Sequence, residues 1–350
     1  MKAATPTELA PVASPRLAGG VRGASLAGIA ALAALVLAAA LLPFFSSNYR
    51  VFQYTMVLIY AIALLGLNIL TGYNGQISLG HGAFYAIGAY VTAILMDKFG
   101  VPYWACIPLA GAVCLVAGFL FGLPALRLEG VYLALATFAL GVALPQLLKY
   151  KHLEEWTGGV QGIILTKPEP PFASLFGFEL NADRWLYLFT LLVAVAMFAV
   201  GWNLLRGRVG RALIAIRDHP IAAASMGIDN SLYKSLAFGV SALFTGVAGA
   251  LGAIAVAFVA PDSFTIFLSI SLLVGMVVGG LASIAGALWG ALFIQFVPNL
   301  ADHVSKAAPW AIYGALMILF MYVMPTGIAG ALRLARQRLA RRTGRDHPAA

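Results

Sequence analysis

Between Ser235 and Leu332 the chain carries only three charged side chains, Asp262, Asp302 and Lys306. A soluble domain cannot present so long a stretch without ionised groups, because its outer surface would have too little to offer water. A bilayer imposes that scarcity, since a charge in hydrocarbon is costly unless it is paired or reaches an interface. The rest of the chain agrees: of 350 residues, 61% are hydrophobic and 10% charged. With two cysteines and so little polar surface, a disulfide scaffold, a nucleic-acid-binding domain, a disordered tether and an ordinary soluble enzyme are excluded.

A hydrocarbon core about 30 Å thick takes roughly 20 apolar helical residues per crossing. About ten blocks meet that measure, near 25–44, 51–70, 77–95, 102–124, 130–148, 185–205, 235–258, 264–280, 283–298 and 308–325. The eighth and ninth are short and nearly touch at Gly280, so a re-entrant pair is an alternative there. The blocks are apolar on every side instead of alternating, which excludes a β-barrel and predicts an all-α polytopic membrane protein of about ten transmembrane helices. Division at 149–184 leaves five blocks on either side, and an odd number per half gives the opposed orientations of a 5+5 inverted repeat. Cys106 and Cys114 lie eight residues apart in one block, roughly 12 Å along a helix, too far for an intrahelical disulfide. They read as packing residues.

Basic residues collect in short cytoplasmic loops. The 206–234 stretch holds Arg206, Arg208, Arg211, Arg217 and Lys234 against two acids, and the tail from Arg333 holds six arginines against Asp346. Residues 149–184 carry four basic and five acidic groups. Ten alternating crossings put both basic regions on one side, so the N and C termini are expected in the cytoplasm. The domains are then a disordered lead at 1–24, a membrane domain at 25–325 with an external segment at 149–184 and a cytoplasmic loop at 206–232, and a basic tail at 326–350. The tail is expected to meet lipid headgroups and no nucleic acid, because nothing folded surrounds it.

Two stretches depart from plain apolar helix. From Gly66 to Gly82, five glycines are interspersed with Asn68, Thr71, Tyr73, Asn74, Gln76, Ser78 and His81 at the junction of two blocks. Glycine permits broken backbone, and broken helices with polar residues are where transporters pass solutes. Asn68, Tyr73, Asn74, Gln76, Ser78 and His81 are therefore candidates for the translocation pathway. The alternative is a tight turn in which Ser78 or Asn74 caps the next helix. His81 is expected to make a structural hydrogen bond rather than relay protons, since no Asp or Glu lies in the neighbouring blocks.

The second stretch runs from Gly207 to Asn230. It reads as two short helices, one over 210–217 and one opened by Pro220 and ended by Gly227, with Asp229 capping the next span. Gly210, Arg211, Arg217, Pro220 and Gly227 are its candidate coupling residues, fitting a groove on a cytoplasmic partner. An amphipathic helix resting on headgroups is the other reading. Gly275 with Gly279 and Gly286 with Gly290 have the spacing of close helix crossings, echoed by Gly118 and Gly122. No Walker sequence, His-Glu-x-x-His, metal-spaced cluster or Gly-x-Ser-x-Gly occurs, so no catalytic residue, metal or cofactor is expected.

The ordered combination of Gly66-Leu67-Asn68, Gly72 through Phe84, Gly88-Ala89-Tyr90, Trp156-Thr157-Gly158-Gly159, Gly162, Gly210-Arg211-Ala212 through Arg217, Ala222 to Gly227 and Tyr233-Lys234 resembles the permeases of branched-chain amino acid ABC transporters, of the LivM-like type. The resemblance spans roughly 50–325. It implies a bacterial inner-membrane import subunit that works with a second homologous permease, two cytoplasmic ATP-binding subunits and a periplasmic solute-binding protein. It also implies that the 206–232 loop transmits ATPase motion and that 149–184 is periplasmic. A urea, amide or aromatic amino acid permease is the alternative within the class. A stand-alone secondary carrier or channel is the alternative outside it, although the carrier would need an ion-binding carboxylate that these blocks lack.

Overall fold

The computed structural model describes residues 26–128, 130–171, 174–175, 178–304, 309–324 and 326–342. The 1–24 lead and residues 343–350 of the tail lie outside the described residues. A first unit ends at Leu42 and contains the apolar helix α1 (Leu26–Leu41). In the second unit α2 (Asn48–Leu67) runs into a π-helical turn over Asn68–Tyr73, followed by α3 (His81–Phe99), α4 (Tyr103–Ala125), α5 (Val131–Leu148) and the short α6 (Glu154–Thr157). Then come α7 (Ala182–Arg206), α8 (Arg208–Asp218), α9 (Pro220–Ser225) and α10 (Asn230–Val256). The chain closes with α11 (Ile266–Gly279), α12 (Ile284–Val304), α13 (Pro309–Val323) and α14 (Gly327–Arg342).

Among the described residues, six helical segments are long and apolar enough to cross a membrane, and shorter apolar helices lie at Ala33–Phe44 and Ile284–Leu300. The protein is an all-α polytopic membrane protein. Its two-stranded ladders, Ile163–Ile164 with Phe258–Val259 and Ser174–Leu175 with Phe178–Glu179, lie outside these helices. Strands of two residues carry no periodicity that a sequence can display.

Helices α2 and α10 form the centre. Ile59, Ile62, Leu64 and Leu65 of α2 and Phe238, Ala242, Ala248 and Leu251 of α10 are fully buried. Helix α10 packs on α2, α3 and α4, while α2 also packs on α7 and α12. Lipid tails are as apolar as leucine, so helix association depends on close van der Waals contact, which small residues permit. A methyl group on Gly88 of α3 would strike the carbonyl oxygen of Gly246, and one on Gly122 of α4 would lie 3.0 Å from the Ser235 Cα. In the α11–α12 contact, a methyl on Gly279 would lie 2.8 Å from the Gly290 nitrogen, and one on Gly275 3.3 Å from the Gly290 carbonyl oxygen. The four glycines at 275, 279, 286 and 290 thus meet in one crossing.

Contacts between connectors fall into two groups. On one side the π turn, α8 and the Gly280–Ser283 break converge, with the start of α14 against Gly280. On the other, the Phe99 and Trp156 rings stack with centroids 6.1 Å apart, the Trp185 indole donates to the Tyr103 hydroxyl at 3.0 Å, and Lys149 pairs with Asp262. The third block begins four residues later than its hydropathy suggests: α3 starts at His81 because residues 74–80 are not helical and Gly75 takes φ 76°. Helix α12 continues through Pro298 to Val304, a continuation that neighbouring helices make tolerable in membrane proteins.

The glycine contacts make different demands at different sites. Gly88→Ala should destabilise the detergent-solubilised chain by about 1–3 kcal/mol, because only backbone movement can admit the methyl group. Gly314→Ala, with nothing within 4 Å of the added carbon, should be neutral or stabilise by up to about 1 kcal/mol. Thermal unfolding of the two variants beside the parent checks the contrast.

Candidate functional site

The site is built around Asn68, at the first residue of the π turn and 1% exposed. Its amide donates to the Ser283 carbonyl at 2.8 Å, and its side-chain oxygen accepts the Ala282 N–H at 2.8 Å. Both partners lie where the chain leaves α11 and has not yet entered α12. Backbone freed from a helix inside a bilayer must find partners in the protein, and one carboxamide here supplies two. The break takes Gly280 to φ 119° and Ala282 to φ 53°, a left-handed value that alanine adopts only when its surroundings enforce it. Gly72 closes the junction from the other side, since a methyl there would lie 2.7 Å from the Ala282 nitrogen.

Beyond the π turn, the Thr71 hydroxyl donates to the Gln76 carbonyl at 2.9 Å and the Asn74 amide donates to Gln76 Oε1 at 2.6 Å. Asn74 and Gln76 are both buried, and Asn74 Oδ1 has no partner among the described residues. Tyr73 is half-buried at the end of the turn. The Leu79 N–H reaches the Thr137 hydroxyl of α5 at 2.9 Å, and the Gly82 N–H reaches the Ser269 hydroxyl of α11 at 2.9 Å. Neither Ser78 nor Asn74 caps α3: Gly80 holds the N-cap position without a side-chain bond.

His81 joins three helices, and its protons can be assigned by counting donors. The Ser241 hydroxyl of α10 donates its single proton to the Gly66 carbonyl of α2 at 2.6 Å. Its contact with His81 Nε2, also 2.6 Å, must therefore be one in which the imidazole donates. Nδ1 is left as the acceptor for the Ser78 hydroxyl at 2.9 Å. The neutral Nε2–H tautomer satisfies every group in this chain. Gly66 keeps α2 and α10 close enough for it, since a methyl there would lie 2.7 Å from the Phe244 Cβ and from the Ser241 carbonyl oxygen.

The second stretch meets the first through one side chain. Helix α8 buries Gly210, Ala212, Leu213 and Ile216, and a methyl on Gly210 would enter the Leu205 backbone. His219 Nδ1 accepts the Ala222 N–H at 3.3 Å, Pro220 occupies the first turn of α9, Gly227 takes φ 82°, and Asp229 caps α10 by accepting from Ser231 and Leu232 at 3.0 and 3.1 Å. At the end of α8, Arg217 donates through Nη1 to the Gly72 carbonyl at 2.9 Å and through Nε to Asp218 at 2.9 Å. Its stem lies over Gly75, where an added methyl would come 2.8 Å from the Arg217 Cγ. Arg211 points elsewhere and donates to the Arg206 carbonyl at 3.3 Å. Arg217 is thus the member of the loop that touches the connector, while Arg211, Pro220 and Gly227 shape the loop itself.

The partners that sequence reasoning missed are Thr137, Ser241, Ser269, Ala282 and Ser283. Hydroxyls within apolar blocks at 137, 241 and 269 are the signal in the sequence, because a buried hydroxyl needs a partner.

Residues 49–324 match the profile of the family described as branched-chain amino acid transport system, permease component. The chain belongs to that family. It is 37% identical over 333 residues to the high-affinity branched-chain amino acid transport system permease protein LivM of Salmonella typhimurium (strain LT2), covering 89% of this chain and 77% of the relative. The Escherichia coli (strain K12) LivM is 36% identical over the same coverage. Similarity extends to the corresponding LivH protein of Salmonella typhimurium, 26% identical over 294 residues, covering 77% of this chain and 91% of the relative. No solved structure matches the chain.

Asn68→Asp keeps the shape of the carboxamide but removes its donor and sets two oxygens against each other. It should cost about 1–3 kcal/mol and speed amide exchange across Gly280–Ser283. Hydrogen–deuterium exchange on the solubilised chain measures this, and unchanged protection there would remove Asn68 as the link between the breaks.

Proposed function

We propose that this chain is one permease subunit of an ABC importer for branched-chain amino acids in the bacterial inner membrane. It works with a second homologous permease, two cytoplasmic ATP-binding subunits and a periplasmic solute-binding protein. The family supports the solute class, and the observation that carries the mechanism is the Arg217 guanidinium on the Gly72 carbonyl. That bond ties the α8–α9 loop to the polar connector between α2 and α3.

The topology we infer is ten crossings in a 5+5 inverted repeat with both termini cytoplasmic. Three features support it. Helices α2 and α10, the second crossing of each half, are the two central spans, α2 running through its π turn into the 74–80 connector and α10 into a connector that holds a short 3-10 turn at Pro261–Phe264. Connectors that alternation assigns to one side touch one another, as Gly72, Arg217 and Ser283 do on one and Lys149 and Asp262 on the other. The arginines of α8 and α14 belong to the first group, which the positive-inside rule makes cytoplasmic. The 149–184 segment is then periplasmic, 206–232 is the coupling loop, and 326–350 is the cytoplasmic tail.

Within this scheme Asn68, Ser78 and His81 frame the cytoplasmic end of the pathway. Tyr73, Asn74 and Gln76 form the part that rearranges, consistent with the unpartnered Asn74 oxygen. ATP-driven approach of the partner subunits displaces α8, and Arg217 carries that displacement to the end of α2 without any hydrolytic chemistry in this chain. The Gly275, Gly279, Gly286 and Gly290 crossing keeps α11 and α12 together as the break between them shifts. The solute's carboxylate meets helix N-terminal amides, and small and apolar walls accept an aliphatic side chain.

Reconstituted vesicles holding the complete complex should take up leucine when ATP is supplied and should prefer it to phenylalanine and urea. Preference for urea or phenylalanine reassigns the solute, and uptake by this subunit alone removes the ABC assignment. Arg217→Ala should reduce uptake about tenfold while ATP hydrolysis continues, since it removes a charge-assisted hydrogen bond at the linkage. Arg217→Lys should recover only part of the loss, because a single ammonium does not reproduce the guanidinium fork that reaches Gly72 and Asp218 together. Full coupling in Arg217→Ala would exclude this route of transmission.

A further inference from the structure

A cavity of about 280 Å³ opens between the Gly280–Ser283 break and the first turns of α14, lined by Gly280, Leu281, Ser283, Thr326, Gly330, Arg333 and Leu334. At about 30 Å³ per liquid water, that volume exceeds what one or two ordered waters need. Among the described residues no carboxylate pairs with Arg333. Arg333 and Arg217 both lie close enough to Tyr73 for their charges to act on its phenol. Arg217 is balanced by Asp218. One guanidinium, that of Arg333, therefore lies at the cavity with two hydroxyl-bearing side chains, Ser283 and Thr326, and with no acidic group among the described lining residues.

We propose that this cavity binds the phosphate of an anionic phospholipid headgroup. A guanidinium presents paired donors to phosphate oxygens, and a hydroxyl adds a further donor. The apolar part of the lining selects a lipid over a free anion: Leu281 and Leu334 flank the cavity and are 53% and 48% exposed. Inorganic phosphate gains nothing from them, whereas the glycerol and upper acyl carbons of a lipid cover them. The location agrees. Helix α14 starts four residues after the apolar helix α13 ends, and in the topology proposed above, on which this placement rests, that end of α13 faces the cytoplasmic leaflet. Arg336, Arg338, Arg341 and Arg342 follow in the sequence of the same helix, a basic run of the composition that favours an anionic surface. The bound lipid would brace α14 against the break that Asn68 spans.

Native mass spectrometry of the purified full chain in detergent tests the site, with phosphatidylglycerol and phosphatidylcholine as probes. The parent protein should retain phosphatidylglycerol in preference to phosphatidylcholine. Arg333→Gln should weaken that retention about tenfold, Arg333→Lys and Thr326→Val should weaken it less, and the charge-matched control Arg208→Gln should leave it unchanged. Equal retention in Arg333→Gln, an equal loss in Arg208→Gln, or equal retention of phosphatidylcholine each overturns the proposal. Displacement of phosphatidylglycerol from the parent by millimolar inorganic phosphate overturns the lipid assignment in favour of a free-anion site.

Discussion

Backbone that leaves a helix within a bilayer has no water to turn to, so each freed N–H and C=O must be met by another part of the protein. Asn68 meets two such groups in the opposite half of the chain, at Ala282 and Ser283. The π turn that carries Asn68 and the break that receives it are each incomplete alone, and together they form one junction. Gly72 is small because the junction leaves no room for a side chain, and Ala282 adopts a left-handed conformation at the same point. Around this junction the glycine-lined crossings of α3, α4 and α10 supply the close packing that holds the polar groups in register.

The same economy governs the link to the α8–α9 loop. Helix α8 could be a detached amphipathic segment, but its buried face is anchored by Gly210 and Ile216, and Arg217 at its end reaches a carbonyl of the π turn. The proposed displacement of α8 would thus act on a backbone group at the end of a central helix. Helix-end carbonyls suit this purpose because they are the acceptors an α-helix leaves unused.

What could be read from the sequence follows the range of the interactions. Pro220, Gly227 and Asp229 mark the ends of short helices through local rules, and the helix pair with its Asp229 cap stands where those rules put it. The apolar blocks locate most helices to within a few residues for the same reason. Hydropathy sets the start of α3 too early because a π turn and a non-helical connector interrupt an apolar and glycine-rich run that it treats as continuous. Asn68 was recognisable as an anomalous polar residue, but its partners lie 214 and 215 residues away. Nothing local to either segment encodes such a pairing. Ser78 and His81 were likewise identified without their geometry, because Ser241 looked like one more small residue in an apolar helix.

The hydrogen-bonded chain through His81 has a direction. Each proton points the same way, from the Ser78 hydroxyl to the imidazole, from the imidazole to Ser241, and from Ser241 to the Gly66 carbonyl. It ends on an amide oxygen, which has no proton to pass on. In this arrangement the histidine that stands out most in the apolar sequence ties α2, α3 and α10 together, and no further acceptor continues the chain.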